Sequence, residues 1–436
     1  MSNQASTIGK LLQKSGLTLP KRWTPLKHHA EQHRLTVERK RFKVIPAGRR
    51  SGKTEKFKRE VSKASWLVPG MYFAAAPTHA QAKKIFWKDL KALAMPQLID
   101  RYYDGDLILR LKNGSEIHVI GLDKPSRFEG VPWTGGGIDE IADVKPEAWE
   151  ENISPALDTE GLDTWCWLLG VPDGLNHYYE MAQYAKSGKD DEWGLYTWPS
   201  SDILSPAKIA AAKRRLDPRT FKQEYEASFE TATGRIYDDY SADNHTDRTF
   251  SKELPIHWTH DFNFVPMSSA IIQNVGGKDY CVDEISLESA SARNVALEFI
   301  DRYKENKNLP VYLYGDPSGK AGEKHGLLSN YVEIERLLAQ NGFNNVERRV
   351  LRSERSIRDS QASLRSRIFN TLGERFFYVN PAKCRSLDKG LFTTQRAKGS
   401  SYQEDANNKH HHITTAARFF TEYKYPIHGK PTLANW

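Results

Sequence analysis

Residues 47–54, AGRRSGKT, lie between a short apolar run, RFKVIPAG, and a helix-like run from Lys53 to about Ala64. That order suits a phosphate-binding loop, because backbone N–H groups at a helix N-terminus cradle phosphate oxygens and the helix dipole adds favourable potential. Gly48, Arg49, Arg50, Ser51 and Gly52 would wrap the phosphates of ATP. Lys53 would reach the β- and γ-phosphates, and Thr54 would hold Mg²⁺. Alanine occupies position 47, where the strict G-x-x-x-x-G-K-[ST] spacing has its first glycine. Further along, GGGIDEIADV carries two adjacent acids, Asp139 and Glu140. ATP hydrolysis needs an acid to organise the metal and a base to orient water. Asp139 suits the first role, beside Thr54, and Glu140 the second.

A second set of acids lies in the other half of the chain. HWTHDFNF puts Asp261 near the end of a strand-like run, and YLYGDPSG puts Asp316 at the end of another. Carboxylates aimed at one point can hold two Mg²⁺ or Mn²⁺ ions about 3.5–4 Å apart, an arrangement that activates water for phosphodiester cleavage. Asp283 and Glu284 in CVDEIS form a secondary pair. Adjacent strand residues face opposite sides, so at most one of them could aim at the metals. Between residues 347 and 369 the chain concentrates arginines, among them Arg348, Arg349, Arg352, Arg355 and Arg358. These are candidate contacts to nucleic-acid phosphates, which bind without reading sequence. The run NNKHHHITTAARFF holds three consecutive histidines, but adjacent side chains diverge around a helix and do not make a tetrahedral site.

Positioning such groups requires strands that end in one place. From Phe42 the pattern alternates β and α, with buried strands expected at RFKVIPAG, MYFAAAPT and TWCWLLGVPDG. DLILRLKNGSEIHVIG alternates at period two around Asn113-Gly114, a hairpin signal. This is an α/β pattern with a mostly parallel sheet covered on both faces. The pattern weakens at TATGRIYDDYSADN, read as a linker. Three strands then follow as an antiparallel meander, IHWTHDF, SSAIIQNVGG and KDYCVDEIS. VYLYGD and RFFYVN alternate with helices near Ala292–Tyr303, 327–340 and 356–372, the order of an RNase H-like domain with a mixed sheet. The expected domains are 1–235, with a polar, basic segment at 1–40 forming short helices, a linker at 236–250, and 251–436.

A length of 436 residues suggests two domains. No apolar run approaches the ~18 residues of a membrane span. The N-terminal MSNQASTIGKLLQKSG lacks the apolar segment of a signal peptide. Cys166, Cys281 and Cys384 are scattered, which argues for a reducing compartment and against a cysteine-based zinc site. A net charge of +8 suits a polyanionic partner.

In this order the motifs resemble the large subunit of tailed-bacteriophage terminases. GRRSGKT is similar to the family's variant phosphate loop, which lacks the first glycine and carries arginines. YFAAAPTHAQAKKIFW is similar to its second motif, and DEIADVKPEAWEENISPAL to its Walker B segment and the helix after it. LLGVPDGLNHYYE resembles the coupling motif, with Asn176 and Tyr179 in register and Val171 replacing the usual hydroxyl residue. FKQEYEASF resembles the segment that closes the ATPase half.

The resemblance implies an N-terminal P-loop ATPase of the ASCE type and a C-terminal RNase H-like nuclease. It implies ATP with Mg²⁺ for the motor and Mg²⁺ or Mn²⁺ for the nuclease. The implied partners are double-stranded DNA, a portal protein, a small terminase subunit and identical copies in a ring on the procapsid, with no membrane. The implied location is the host cell cytoplasm rather than the mature virion. Arg127 in KPSRFEG stands where the family commonly has the arginine that stabilises γ-phosphate charge, with Arg49 and Arg50 as rivals.

Asp261 and Asp316 match the first two catalytic acids. His412, Ala416, Arg418 and Phe419 fit the last motif, but threonine occupies position 415, where aspartate is expected. Three accounts stay open: compensation by His411, or by Asp405 or Glu404; a weakened metal site; or a substitution that silences cutting. The leading expectation is a DNA-packaging motor with an endonuclease. The alternative is a translocase whose nuclease-like domain serves in DNA binding or docking.

Overall fold

A computed structural model of the chain describes residues 20, 22–23, 29–230, 234–262, 266–317, 329–353, 355–397 and 402–428. They form two compact units. The first runs to Ile209 and takes in Lys222–Glu230; the second takes Ala210–Phe221 and the described residues from Gly234 onward.

The first unit is built on eight strands: β1 (Phe42–Pro46), β2 (Met71–Ala76), β3 (Ile99–Tyr103), β4 (Ile108–Leu111), β5 (Glu116–Gly121), β6 (Trp133–Ile138), β7 (Trp165–Gly170) and β8 (Trp193–Leu195). Their order in the sheet is β3-β4-β5-β2-β6-β7-β1-β8. All neighbours from β5 to β8 are parallel, and only β3 and β4 join as antiparallel strands. β1, β2 and β7 are buried almost end to end, as continuous apolar sequence demands of strands covered on both faces. One face packs Leu35, from helix α1 (Ala30–Val37), and Phe57, from helix α2 (Lys53–Leu67); the other packs Phe73, Trp149 and Tyr178. The rest of the basic segment expected to be helical at 1–40 lies mostly outside the described residues.

β7 separates the strand that leads into the phosphate loop from the strand that ends in the acid pair. The glycine run in β6 has a packing cause. A Cβ at Gly135, Gly136 or Gly137 would come within 2.2, 2.3 and 2.5 Å of Trp165, Phe73 and Phe57 respectively. The expected hairpin forms between β4 and β5, where Gly114 takes φ +88° and Asn113 Oδ1 accepts from the Ser115 N–H at 3.0 Å.

The second unit has a six-stranded mixed sheet, β13-β12-β9-β10-β11-β14. β9 (Ile256–Asp261), β10 (Met267–Val275) and β11 (Lys278–Leu287) form the antiparallel meander. β12 (Val311–Gly315) runs parallel to β9 and to β13 (Val346–Arg348), and β14 (Phe377–Val379) runs parallel to β11. Period-two alternation sorts the two faces. Ile256, Trp258, Val311 and Leu313 pack with α4 (Ala292–Tyr303) and α5 (Asn330–Gln340). Tyr314 joins Leu364 of α6 (Ile357–Ile368), Leu387 of α7 (Arg385–Thr393) and Ala416 of α8 (His411–Lys424). α3, used below, is His177–Ser187 in the first unit.

Two expectations shift. The start expected at Leu327 lies outside the described residues, and the helix expected over 356–372 is shorter. Ser356 Oγ accepts from the Asp359 N–H at 3.1 Å and caps its start. Phe369 turns extended, and Asn370 Oδ1 then gathers the N–H groups of Leu372 and Glu374. The stretch 236–250, expected as a linker, contributes Ile236, Tyr237 and Tyr240 to the core of the second unit. Alternation in polarity had weakened there, but three large side chains were enough to bury it.

Candidate functional site

The phosphate loop follows β1 and feeds α2, whose N-cap Gly52 sits at φ +86° and brings no side chain to cap the helix. The N-terminal N–H groups of α2 are therefore available to an anion. Gly48 N donates to Trp198 O at 2.9 Å, and a Cβ on Gly48 would meet Ser200 N at 2.5 Å. The loop is held from behind: Trp198 Nε1 and Gln32 Nε2 both donate to Ser51 O at 3.1 Å. Arg50 takes φ +57° and is exposed. Arg49 turns to Glu224, with Nη1 to Oε1 at 2.9 Å and its N–H to Glu224 O at 2.5 Å. Glu224 lies in the FKQEYEASF segment and is almost fully buried.

Across the sheet, Thr54 Oγ1 donates to Asp139 Oδ2 at 2.7 Å, so the loop and the acid pair meet. Asp139 is buried, and its N–H is fixed by Ala75 O at 2.8 Å. Burial, helped by the charge of Glu140, raises the Asp139 carboxyl from its ordinary value to about 6, against the pull of Lys53 and Thr54. Glu140 stands in the left-handed region, φ 55° and ψ 43°, which ends the strand at once. A non-glycine residue there carries about 1–2 kcal/mol of strain. The turn after it is tied to α3. Asn176 caps α3 through the N–H groups of Tyr178 and Tyr179, and its Nδ2 donates to Ala142 O at 3.1 Å. His177 Nε2 faces Ile141 O at 3.1 Å. Val171, which replaces a hydroxyl residue, is buried. Arg127 is exposed on a single turn after β5, with the neighbouring Phe128 buried beneath it.

One buried polar atom bears on the fit of a phosphate to this loop. Ser51 Oγ is fully buried and has no hydrogen-bond partner among the described residues. An orphaned hydroxyl beside an open helix N-terminus fits a phosphate oxygen.

In the second unit, Asp261 ends β9 and Asp316 follows β12. The register Gly315↔His260 sets the two strand ends side by side. They line a cleft of ≈ 350 Å³ together with Glu404, His411, His412, Thr415, Arg418 and Glu422, among others. His412 Nδ1 contacts Asp261 Oδ2 at 3.0 Å. His411 lines the cleft while its Nδ1 faces Asn408 O at 2.6 Å. Thr415 Oγ1 donates to Glu404 Oε2 at 3.5 Å and accepts from Arg418 Nη2 at 3.2 Å. Burial pushes the Glu422 carboxyl up to about 7. Among the described residues, no three His, Cys, Asp or Glu side chains converge closely enough to hold a metal ion. The oxygen donors are of the kind Mg²⁺ and Mn²⁺ take, but Asp261 and Glu404 are turned to other partners.

Several expected residues go elsewhere. Asp405, expected as a possible ligand, does not line the cleft; its Oδ1 accepts from Asn407 N at 3.0 Å and closes a turn. Asp283 pairs with Arg302 at 3.0 Å, and Glu284 accepts from the N–H groups of Ser386 and Leu387 at the start of α7. Of the five arginines, Arg355 lines the cleft. Arg348 pairs with Glu335 at 2.5 Å. Arg349 pairs with Glu347 at 2.9 Å and lies over the Tyr312 ring at 3.5 Å. Arg358 sits over Tyr402 at 5.7 Å, and Arg352 is exposed. Arg365 and Arg367 are tied to Asp217 and Asp279 inside the unit.

No protein-family model matches the chain. It is 26% identical over 247 residues to the terminase large subunit of Thermus virus P23-45, covering 48% of this chain and 50% of that one. It is 26% identical over 179 residues to the terminase large subunit of Escherichia phage T5, covering 39% and 40%. The likeness is to terminase large subunits. The chain spans about half the length of the curated relatives it matches. Its fold is that of the large terminase of a thermophilic bacteriophage, with a TM-score of 0.65 at 15% identity over 91% of this chain and 99% of that one. The same thermophilic-phage large terminase in complex with ATP-γ-S gives a TM-score of 0.63 at 16% identity.

Sequence reading passed over Glu422 and Glu224. The spacing 411, 415, 418, 422 follows one helix face, so Glu422 could have been placed with the histidines. Nothing local signals Glu224, because its partner Arg49 is far away in the chain.

Proposed function

We propose that the chain is a terminase large subunit: an ATP-driven motor that moves double-stranded DNA into a procapsid and cuts it with a divalent-cation-dependent endonuclease in the second unit. The observation that carries the motor reading is the Thr54–Asp139 contact at 2.7 Å, which joins the phosphate loop to the acid pair. The thermophilic-phage large terminase in complex with ATP-γ-S, a protein of the same fold, supports the choice of nucleotide.

Residues 48–54 and the N-terminus of α2 bind the phosphates, with Ser51 Oγ as an added donor and Lys53 as the cation. Thr54 and Asp139 would hold Mg²⁺, which neutralises charge on the phosphates when bound. Glu140, next in the chain, accepts a proton from the attacking water and orients it. Arg127 supplies positive charge to the γ-phosphate, and Arg49 serves as a rival that must first leave Glu224. The contacts from Asn176 and His177 to residues 141–142 give the base's turn a direct tie to α3.

In the second unit Asp261 and Asp316 would hold Mg²⁺ or Mn²⁺, which together activate water for phosphodiester cleavage when bound. His412 orients Asp261. Arg352, Arg355 and Arg358 contact the DNA backbone without reading sequence. A portal protein, a small terminase subunit, a ring of identical copies and action in the host cytoplasm complete the proposal. Among the described residues no helix is long and apolar enough to cross a membrane.

The test is ATP turnover with and without double-stranded DNA, followed by protection of DNA from nuclease inside procapsids. Arg127→Ala should reduce DNA-stimulated turnover by about 10³-fold or more; undiminished turnover removes it from the site. Strand separation without packaging would overturn the motor reading.

A further inference from the structure

Two of the three cysteines lie side by side in the second unit. The Sγ atoms of Cys281, on β11, and Cys384, at the N-cap of α7, are 3.5 Å apart, although the residues are 103 positions apart in the chain. Both are fully buried, in a core shared with Leu387 and Leu391 of α7 and with Ala416, Ala417 and Phe420 of α8. The Cys384 thiol donates to Cys281 O at 3.5 Å. Cys166 lies apart, in a core of the first unit. The proposed ATPase and nuclease chemistry uses none of the three.

The backbone around the pair is fixed from several directions. Cys281 pairs with Val379 of β14 in parallel register, and Asn380 N donates to Cys281 O at 3.0 Å. Cys384 N in turn donates to Asn380 O at 2.8 Å, which folds the chain back over β11. Glu284, on the same strand, accepts from Ser386 N at 2.7 Å and Leu387 N at 2.9 Å, so the first turn of α7 is tied down beside the thiols. A disulfide has its sulfurs about 2.05 Å apart, so these two need close by only about 1.5 Å. Burial, with the Cys281 thiol beside it, holds the Cys384 thiol well above the usual thiol range. The attacking species in disulfide exchange is the thiolate, so reaction waits for the start of α7 to lift.

We infer that Cys281 and Cys384 form a reversible redox staple: a low-molecular-weight disulfide joins them and fastens α7 to β11, and a dithiol releases them. One cysteine thiolate attacks the small disulfide, giving a mixed disulfide and one small thiol. The other cysteine thiolate then displaces the second small thiol as the Sγ–Sγ bond forms. Two protons and two electrons thus leave the protein in two small thiols. The bond also bears on the cleft. α7 and α8 cross at Gly390, where a Cβ would lie 2.7 Å from His410 O and 2.8 Å from Thr414 Cγ2. Holding α7 down therefore steadies the first turn of α8, which carries His411 and His412 into the cleft. A reducing compartment keeps the staple open, and loss of its thiol pool closes it.

The test is incubation of the full chain with oxidised glutathione, followed by thiol titration after denaturation, peptide mapping, thermal melts and amide hydrogen exchange. Only Cys166 should remain titratable, Cys281 and Cys384 should map to one linked pair of peptides, and dithiothreitol should restore all three thiols. The stapled chain should melt about 5 °C or more above the reduced one, as a cross-link over a long loop implies. Amide exchange in α7 and in the first turn of α8 should slow by about tenfold. Cys281→Ala should melt alike with and without oxidant; if that variant does not fold, mapping and melting of the unmodified chain decide alone. Thiols that stay reduced, glutathione left attached to either cysteine, a link to Cys166, or a linked chain that melts and exchanges like the reduced one would each overturn the staple.

Discussion

The two acidic sites differ in how far their groups are already joined. In the first unit Thr54 holds Asp139 directly, the buried Ser51 hydroxyl has no partner among the described residues, and the loop is pinned by Trp198 and Gln32. In the second, Asp261 is turned to His412, and Glu404 to Arg418 and Gln361. The first site sits at the ends of parallel strands buried on both faces, where little can move. The second takes one wall from a helix and another from a loop. Preorganisation thus follows from the elements beneath: strand ends set positions to within a register, whereas a loop carboxylate is held only by the side chains that reach it.

The largest effect expected on this comparison is at the preorganised site. Glu140→Gln should lower DNA-stimulated ATP turnover by about 10²–10⁴-fold, the range for removing a general base, while equilibrium binding of ATP-γ-S persists. Loss of binding in step with turnover would show that Glu140 holds the site together rather than acting on water.

The pH dependence is next in size. In the proposed role Asp139 would have to be ionised to hold Mg²⁺, and its carboxyl is raised to about 6 in the free protein. Mg²⁺–nucleotide affinity should therefore rise as pH climbs through 6 and level off above 7. Below 6 it should fall by up to about tenfold per pH unit. Titration from pH 5 to 8 checks this, and Asp139→Asn should flatten the profile. A flat profile in the unmodified chain would place Asp139 outside the metal site.

Gly48→Ala tests the rigidity of the loop. Its Cβ would fall 2.5 Å from the backbone nitrogen of Ser200, which cannot swing aside as a side chain can. A loss of about 1–3 kcal/mol in stability is expected, read by denaturant melts. An unchanged midpoint would mean that the loop yields, and the contrast with the second site would weaken.

The smallest effect is expected at the arginines. Arg352→Ala should lower the slope of log affinity for DNA against log salt by about one. Arg348→Ala should leave the slope nearly unchanged, because Glu335 already neutralises that guanidinium at 2.5 Å. Equal slopes for both variants would remove the distinction between paired and exposed arginines.

Much of this architecture was open to reading from residue order alone. Continuous apolar runs announce strands covered on both faces, Asn113-Gly114 announces a hairpin, and GRRSGKT before a helix announces an anion site, because each depends on contacts within a few residues. The period-two alternation of β9 likewise puts Asp261 on the face opposite Trp258. What local pattern leaves open is every choice among distant partners. Asp405 and Glu404 are neighbours in sequence with the same charge, yet one closes a turn and the other enters the cleft. Arg348 and Arg352 look alike in a basic stretch, and only the fold gives one of them a carboxylate. Residues 236–250 read as a linker until Ile236, Tyr237 and Tyr240 find a core to fill. Local sequence sets backbone preference and periodicity, whereas pairing between far-apart charges is settled by which surfaces the packed sheet brings together.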